Sequence, residues 1–404
     1  MNDLKSMKNN ISRKTIGNWF IMAGILIITT LEWHFYEWYQ MFTRYGTLIT
    51  FVALAGAFFC YVNIKDAFKD KLFWVMAVTD VIALINLFIL GSNKGCILIV
   101  VDFMLILYLA DKIEFSKKES FAILIYVAAF FFYWTIDVKG YFKGYNTNYG
   151  GLILITGFAF LMVIMQVLNE KKAVAYGRYI GEYGKKEGMR YWYKRNWWYI
   201  PLYLFLIALA FNIISWYRSR TALMGLIALL LIMIIPEKIV MEKRVNTVIV
   251  VLATAGSVLF SGVYILLGSL GDGGVQLFYK DLISGRNDIW SELWYAFLEK
   301  PLTGIGSSYE MKLEYMEGML EAHSAMMDIL VVHGLIVFII LCTMLIYRLV
   351  AFRNRRIAGS VDKVLFAAVI CMLVTGFFEN YYIIQPFSLI FLCLFGIMPK
   401  TIDS

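Results

Sequence analysis

About twelve stretches of mostly apolar residues, each roughly 15 to 25 long, follow one another along this chain, and their succession decides the class of fold. They run near 16–33, 47–62, 72–90, 96–110, 121–136, 150–168, 197–214, 221–235, 245–267, 324–349, 364–378 and 383–398. A hydrocarbon layer about 30 Å thick takes roughly 20 helical residues to cross. Inside that layer every backbone N–H and C=O must be paired, which a helix does within its own segment. No soluble core could absorb this material, since 61% of the 404 residues are hydrophobic and only 16% are charged. The expected fold is therefore an all-α polytopic integral membrane protein of about 12 transmembrane helices. It forms a single domain, 1–404, with a helical extracytoplasmic loop at 269–322 between spans 9 and 10. The tenth span is expected to break near Gly334.

Twelve crossings put both termini on one side. With a cytoplasmic amino terminus, 27 of the 37 Lys and Arg fall on cytoplasmic segments and 10 outside, the bias that the positive-inside rule demands. The 269–322 insertion then faces the extracytoplasmic side. The net charge of +8 comes mostly from the inner loops, above all 171–195, and it suits anionic lipid headgroups better than nucleic acid. Trp33, Tyr36, Trp38 and Tyr39, and likewise Tyr191, Trp192, Tyr193, Trp197, Trp198 and Tyr199, read as interfacial aromatic belts, with a carbohydrate platform as the secondary reading. The cysteines at 60, 96, 342, 371 and 393 lie in or beside apolar spans without paired spacing and read as small core residues. The first span follows Lys5, Lys8, Arg13 and Lys14 and is succeeded by bulky residues, so it reads as an uncleaved helix.

The insertion is where solution chemistry can be done. Ile289, Trp290, Leu293, Trp294, Ala296 and Phe297 recur at three- and four-residue spacing and predict an amphipathic helix over 287–299, stopped by Pro301 and lying along the outer surface. Arg286 stands at its start, where the helix dipole disfavours a cation. An anion bound there would reverse the penalty, with backbone N–H groups and the guanidinium fork gripping one phosphate together. A second helix is expected over 309–322, with Glu310, Glu314, Glu317 and Glu321 on one face, either solvated or binding sugar hydroxyls. His323 then opens the tenth span. His34 reads as an interfacial loop residue and His333 as packed or pore-lining. No His, Cys or Asp stands at ligand spacing from His323, so no metal is expected there. Neutral near pH 7, His323 could accept a proton from an attacking sugar hydroxyl. Arg218 and Arg220 occupy the turn between spans seven and eight, where they either snorkel to headgroups or join Arg286 in a pyrophosphate clamp.

These residues fall into a familiar order. Ser219-Arg220-Thr221-Ala222, then Gly285-Arg286 with Trp290, then Pro301-Leu302-x-Gly304-x-Gly306, then Ala322-His323-Ser324 with Gly334, resemble the motifs of the O-antigen ligase and polymerase superfamily. The resemblance covers about 197–349, and the 146–151 segment is similar to that family's asparagine-containing stretch. Ser324 stands where the family commonly has asparagine. The resemblance implies a metal-independent, inverting glycosyl transfer from an undecaprenyl-pyrophosphate-linked oligosaccharide donor to a glycan acceptor at the outer face of the bacterial cytoplasmic membrane. In that scheme Arg220 and Arg286, with Arg218 beside them, hold the pyrophosphate, and His323 is the base. The pyrophosphate itself drives the reaction, so the resemblance implies no cofactor. A chain-length regulator would be a partner of a polymerase. Polymerase and ligase remain open; the short insertion favours the polymerase. A transporter or flippase of lipid-linked sugars is the third reading, kept open by Asp80, Asp102 and Asp328 within or near spans, whose simpler role is hydrogen bonding between helices.

Overall fold

The computed structural model describes residues 12–34, 39–90, 94–141, 147–184, 187, 197–269, 276–277, 280–281, 285–313, 322–355 and 360–397. The first half comprises helices α1 (Arg13–His34), α2 (Tyr39–Tyr61), α3 (Ile64–Ala67), α4 (Lys71–Leu90), α5 (Lys94–Leu109), α6 (Lys117–Tyr141) and α7 (Thr147–Tyr183). Next come α8 (Tyr199–Tyr217), α9 (Arg220–Ile234), α10 (Glu237–Val240), α11 (Lys243–Thr254) and α12 (Gly256–Ser269). A short antiparallel ribbon, β1 (Gln276–Leu277) with β2 (Lys280–Asp281), adds a minor departure from the all-α expectation. The chain ends with α13 (Arg286–Glu299), α14 (Ala325–Arg355), α15 (Ser360–Thr375) and α16 (Phe387–Gly396).

Each of the twelve apolar stretches falls on helix, but among the described residues six helices are long and apolar enough to cross a membrane, or seven counting α11 with α12 as one bent span. The arrangement is consistent with a polytopic membrane protein, while the count of twelve is not established. The ninth stretch is two helices inclined by 54° across Ala255. Phe88, Ile136, Ile234 and Leu259 are each at least 69% exposed, an apolar outer surface that suits lipid and not water.

α7 is the central post, packed against α6, α8, α9 and α15. It runs antiparallel to α15. Asn148 on its first turn bonds to Glu379 just past α15, while Gln166 bonds to Ser360 at the start of α15. Those two ties are separated by about 27 Å of helix at 1.5 Å per residue, close to a bilayer's apolar thickness. The Ser360 end also holds Arg348 paired with Asp111 and Lys112 paired with Asp70, so the Asn148 end lies opposite to this charged end.

α14 is broken at Gly334, as its sequence leads one to expect. Met326 Sδ and Cys342 Sγ lie 3.6 Å apart although sixteen residues separate them; along a straight helix they would be about 24 Å apart. The upper arm, ending at His333, therefore folds back over the lower one. The Pro301–Gly306 motif fills the break. Ile305 and Gly306 donate their N–H groups to the carbonyls of Val331 and Val332, and Leu335 donates to the Pro301 carbonyl. Gly304 and Gly334 have φ of +77° and +84°, and a Cβ on Gly334 would come within 2.3 Å of the Leu302 carbonyl oxygen. Only glycine meets both demands at little strain. Asn86 of α4 closes the joint, its Nδ2 donating to the carbonyls of both Thr303 and His333.

The expected helix over 309–322 is not found at 309–313, which is irregular, and 314–321 lies outside the described residues. The segment is instead fastened to α13 by Glu292, whose Oε1 accepts from Tyr309 Oη at 3.1 Å and from the Lys312 N–H at 2.6 Å. The side chains of His34 and Cys96 and the aromatic run 191–193 also lie outside the described residues. His333 is buried, which fits packing better than a pore. Among the described residues hydrogen bonding does not explain Asp102: it is buried with both carboxylate oxygens unpartnered, and Asp80 Oδ1 is likewise unpartnered.

Candidate functional site

Arg286 is the first residue of α13 and is buried on the same face as Ile289, Trp290, Leu293, Ala296 and Phe297. Its guanidinium reaches the loop after α15, where Nη2 donates to Glu379 Oε1 at 2.7 Å and to the Phe378 carbonyl at 3.1 Å. The anion expected beside Arg286 is that of a substrate; in the structure a protein carboxylate holds that place. A cation at a helix start is disfavoured by about 0.3–1 kcal/mol, less than the roughly 1.5–3 kcal/mol of a charged hydrogen bond, so the Glu379 contact wins. The Arg286 Nε is buried and has no hydrogen-bond partner among the described residues.

Trp290 lies one turn further on and is fully buried, donating from Nε1 to the Ala322 carbonyl at 2.7 Å. That bond pins the residue before His323. On the other side, the Ser324 N–H donates to Asn380 Oδ1 and the Ala325 N–H to the Gly376 carbonyl. Held between these contacts, His323 takes a left-handed backbone, φ +46°, a conformation that is sparse for residues other than glycine and that gathers at functional sites. Its side chain is 17% exposed, and Nδ1 lies 3.4 Å from Glu379 Oε2.

Glu379 is thus the centre of the cluster, taking Arg286 and Asn148 on Oε1 and His323 on Oε2. Burial pushes its carboxyl up, but His323, the Arg286 charge and the Asn148 amide outweigh burial and hold it below the usual 4.5. One residue along α7, Tyr149 donates from its hydroxyl to the buried Glu32.

Arg220 is the first residue of α9, half-buried, behind Ser219, whose Oγ caps the helix by accepting from the Ala222 N–H. The first turn of α7 presses on this corner: a Cβ on Gly151 would fall 2.3 Å from Ser219 Oγ. Arg220 therefore shares the end of the bundle that holds Asn148 and Glu379. Arg218 is exposed and left-handed, φ 53°, at the cap of α8. The amino ends of α7, α9, α13 and α14 all gather at this end, and helix starts favour anions. Among the described residues no group of three or more His, Cys, Asp and Glu could hold a metal ion.

Reading the sequence alone missed Glu379. It carries no motif, and its one signal is a lone acid between two apolar stretches in Phe377-Phe378-Glu379-Asn380. Asn148, by contrast, lies in the asparagine segment already singled out.

No curated protein and no solved structure matched the chain. A family model described as O-antigen ligase matches residues 203–342. Arg220, Arg286 and His323 lie inside that stretch, whereas Asn148 and Glu379 lie outside it. Over that stretch, about a third of its length, the chain is similar to the O-antigen ligase family.

Proposed function

We propose that the chain is a metal-independent, inverting membrane glycosyltransferase that polymerises undecaprenyl-pyrophosphate-linked oligosaccharide repeat units into a surface polysaccharide at the outer face of the cytoplasmic membrane. One observation carries this reading: Arg286, from the insertion, and His323, from the mouth of a broken span, meet on one buried carboxylate. The family match is the second support.

In the proposed reaction the donor's diphosphate binds among the gathered helix starts, with Arg220 and Arg286 as its cationic partners and Arg218 at the rim. The acceptor hydroxyl oxygen attacks the anomeric carbon. The bond from that carbon to the phosphate oxygen breaks, and the bonding pair leaves with the diphosphate, where the arginines stabilise the growing charge. The hydroxyl proton passes to His323. Because Nδ1 faces Glu379, Nε2 is the nitrogen that receives it, and the carboxylate stabilises the imidazolium that forms. A single displacement inverts the anomeric centre. Neither nucleotide nor metal takes part.

The test is incubation of purified protein with a defined lipid-linked repeat unit. A ladder of products is expected; one transfer to an added acceptor would identify a ligase instead. His323→Asn, whose side chain also tolerates the left-handed backbone, should lower transfer by about 10²- to 10⁴-fold. Lipid-linked substrate should still reach the outer leaflet. A ladder that survives this substitution removes His323 as the base, and loss of delivery would point to a transporter.

A further inference from the structure

Glu379 divides itself unequally. Oε1 receives Arg286 at 2.7 Å and Asn148 at 2.8 Å, whereas Oε2 is 3.4 Å from His323 Nδ1. Charged hydrogen bonds at full strength run about 2.7–2.9 Å, so the carboxylate is committed to the guanidinium and only loosely to the imidazole. Arg286 is also half committed. Nη2 is taken by Glu379 and the Phe378 carbonyl, while the adjacent Nε is buried and, among the described residues, unpartnered. Nε and Nη2 together are the fork with which a guanidinium grips two oxygens of one anion side on. Glu379 occupies one prong of a site shaped for two.

We propose that Glu379 is a positioning residue that the donor hands from Arg286 to His323. A diphosphate taking both prongs of Arg286 displaces the carboxylate, which then closes on His323 Nδ1 and strengthens Nε2 as a base. This rests on the reading that Arg286 binds the diphosphate and His323 takes the proton. The movement needed is confined to one side chain. Phe378, on one side of it, donates its N–H to the Thr375 carbonyl, and the side chain of Asn380, on the other, accepts from the Ser324 N–H at 3.1 Å, so both neighbours are tied independently of Arg286. The base is then fully active only when the donor is seated, which orders the reaction donor first.

The experiment uses the full chain in lipid nanodiscs, with inorganic pyrophosphate as the binding probe and a lipid-linked repeat unit for turnover. Glu379→Gln removes the competitor for Arg286 and the partner of the imidazolium in one isosteric change. Pyrophosphate should bind about fivefold or more tightly and the donor KM should fall, while kcat drops roughly 10- to 100-fold. A residue that merely supports the fold would weaken binding when altered. Glu379→Asp, which keeps the charge, is the second variant and should restore pyrophosphate affinity to near the wild-type value. Weaker pyrophosphate binding by Glu379→Gln, or an unchanged kcat, overturns the hand-over. Arg286→Lys separates the two ideas: if it leaves pyrophosphate affinity intact, the diphosphate reading itself fails. If it abolishes binding while Glu379→Gln brings no tightening, only the hand-over is lost.

Discussion

Two buried arginines hold carboxylates at opposite ends of this bundle, and they do so differently. Arg348, inside the lower arm of α14, pairs with Asp111 at 2.9 Å and reaches the Tyr108 carbonyl at 3.5 Å, tying α14 to the end of α5. Arg286 stands at a helix start, where the dipole opposes it, and its carboxylate also faces a histidine held in a left-handed backbone. The first pair is a tie between helices. Both leave a buried Nε without a hydrogen-bond partner among the described residues, but the second adds backbone strain and a titratable neighbour in one place, and that combination, not the ion pair or the open donor, marks a site for chemistry.

The sharpest way to break this contrast is Arg286→Lys. An ammonium keeps the charge but loses the fork, so transfer should fall on the order of 10²- to 10³-fold while the thermal midpoint stays near the wild-type value. Near-normal turnover would reduce Arg286 to a second tie. At the other end, Arg348→Met should behave inversely. It should destabilise the protein by about 2–3 kcal/mol, short of the roughly 3–5 kcal/mol of a fully buried pair because Asp111 keeps some contact with water. Turnover per folded molecule should not change, and a selective loss of kcat would erase the distinction.

Gly334→Ala probes the joint between the two regions of α14. Strain at φ +84° together with a clash on the Leu302 carbonyl should lower stability by about 1–3 kcal/mol. The upper arm that carries His323 should be disturbed more than the lower arm, which hydrogen exchange resolved along α14 would show. The smallest effect concerns pH. Glu379 is held below its usual 4.5, so the stabilisation it contributes is complete above that value and is lost as pH falls through its lower value in the folded protein. Melting measured from about pH 6 to about pH 3 should therefore show an acid loss in the wild type that Glu379→Gln lacks.

Much of the scaffold was legible because membrane helices advertise themselves through local composition, and each of the twelve apolar stretches carries helix. Their lengths were less legible: α7 runs on to Tyr183, and the ninth stretch bends by 54°. Hydropathy averages over a window and is blind to both. The amphipathic helix at 286–299 was readable from its three- and four-residue spacing, and its buried face is the predicted one except for the half-buried Trp294. The helix expected from the Glu310 to Glu321 stripe failed where it can be seen. There Glu292 captures the backbone of Lys312 from another element, a long-range contact that overrides local spacing.

The site divides the same way. Sequence alone determined a helical, lipid-facing chain with a polar insertion, and it singled out Arg220, Arg286 and His323, because apolar periodicity and short motifs are local properties of the polymer. Tertiary structure alone decided that Arg286 and His323 meet on Glu379, that Asn148 joins them from 231 residues away, and that the Pro301–Gly306 motif fills the break in α14. Those outcomes depend on which helix ends the packing of α7, α13, α14 and α15 brings together, and a buried charge can take its partner from any part of the chain that folding places within about 3 Å.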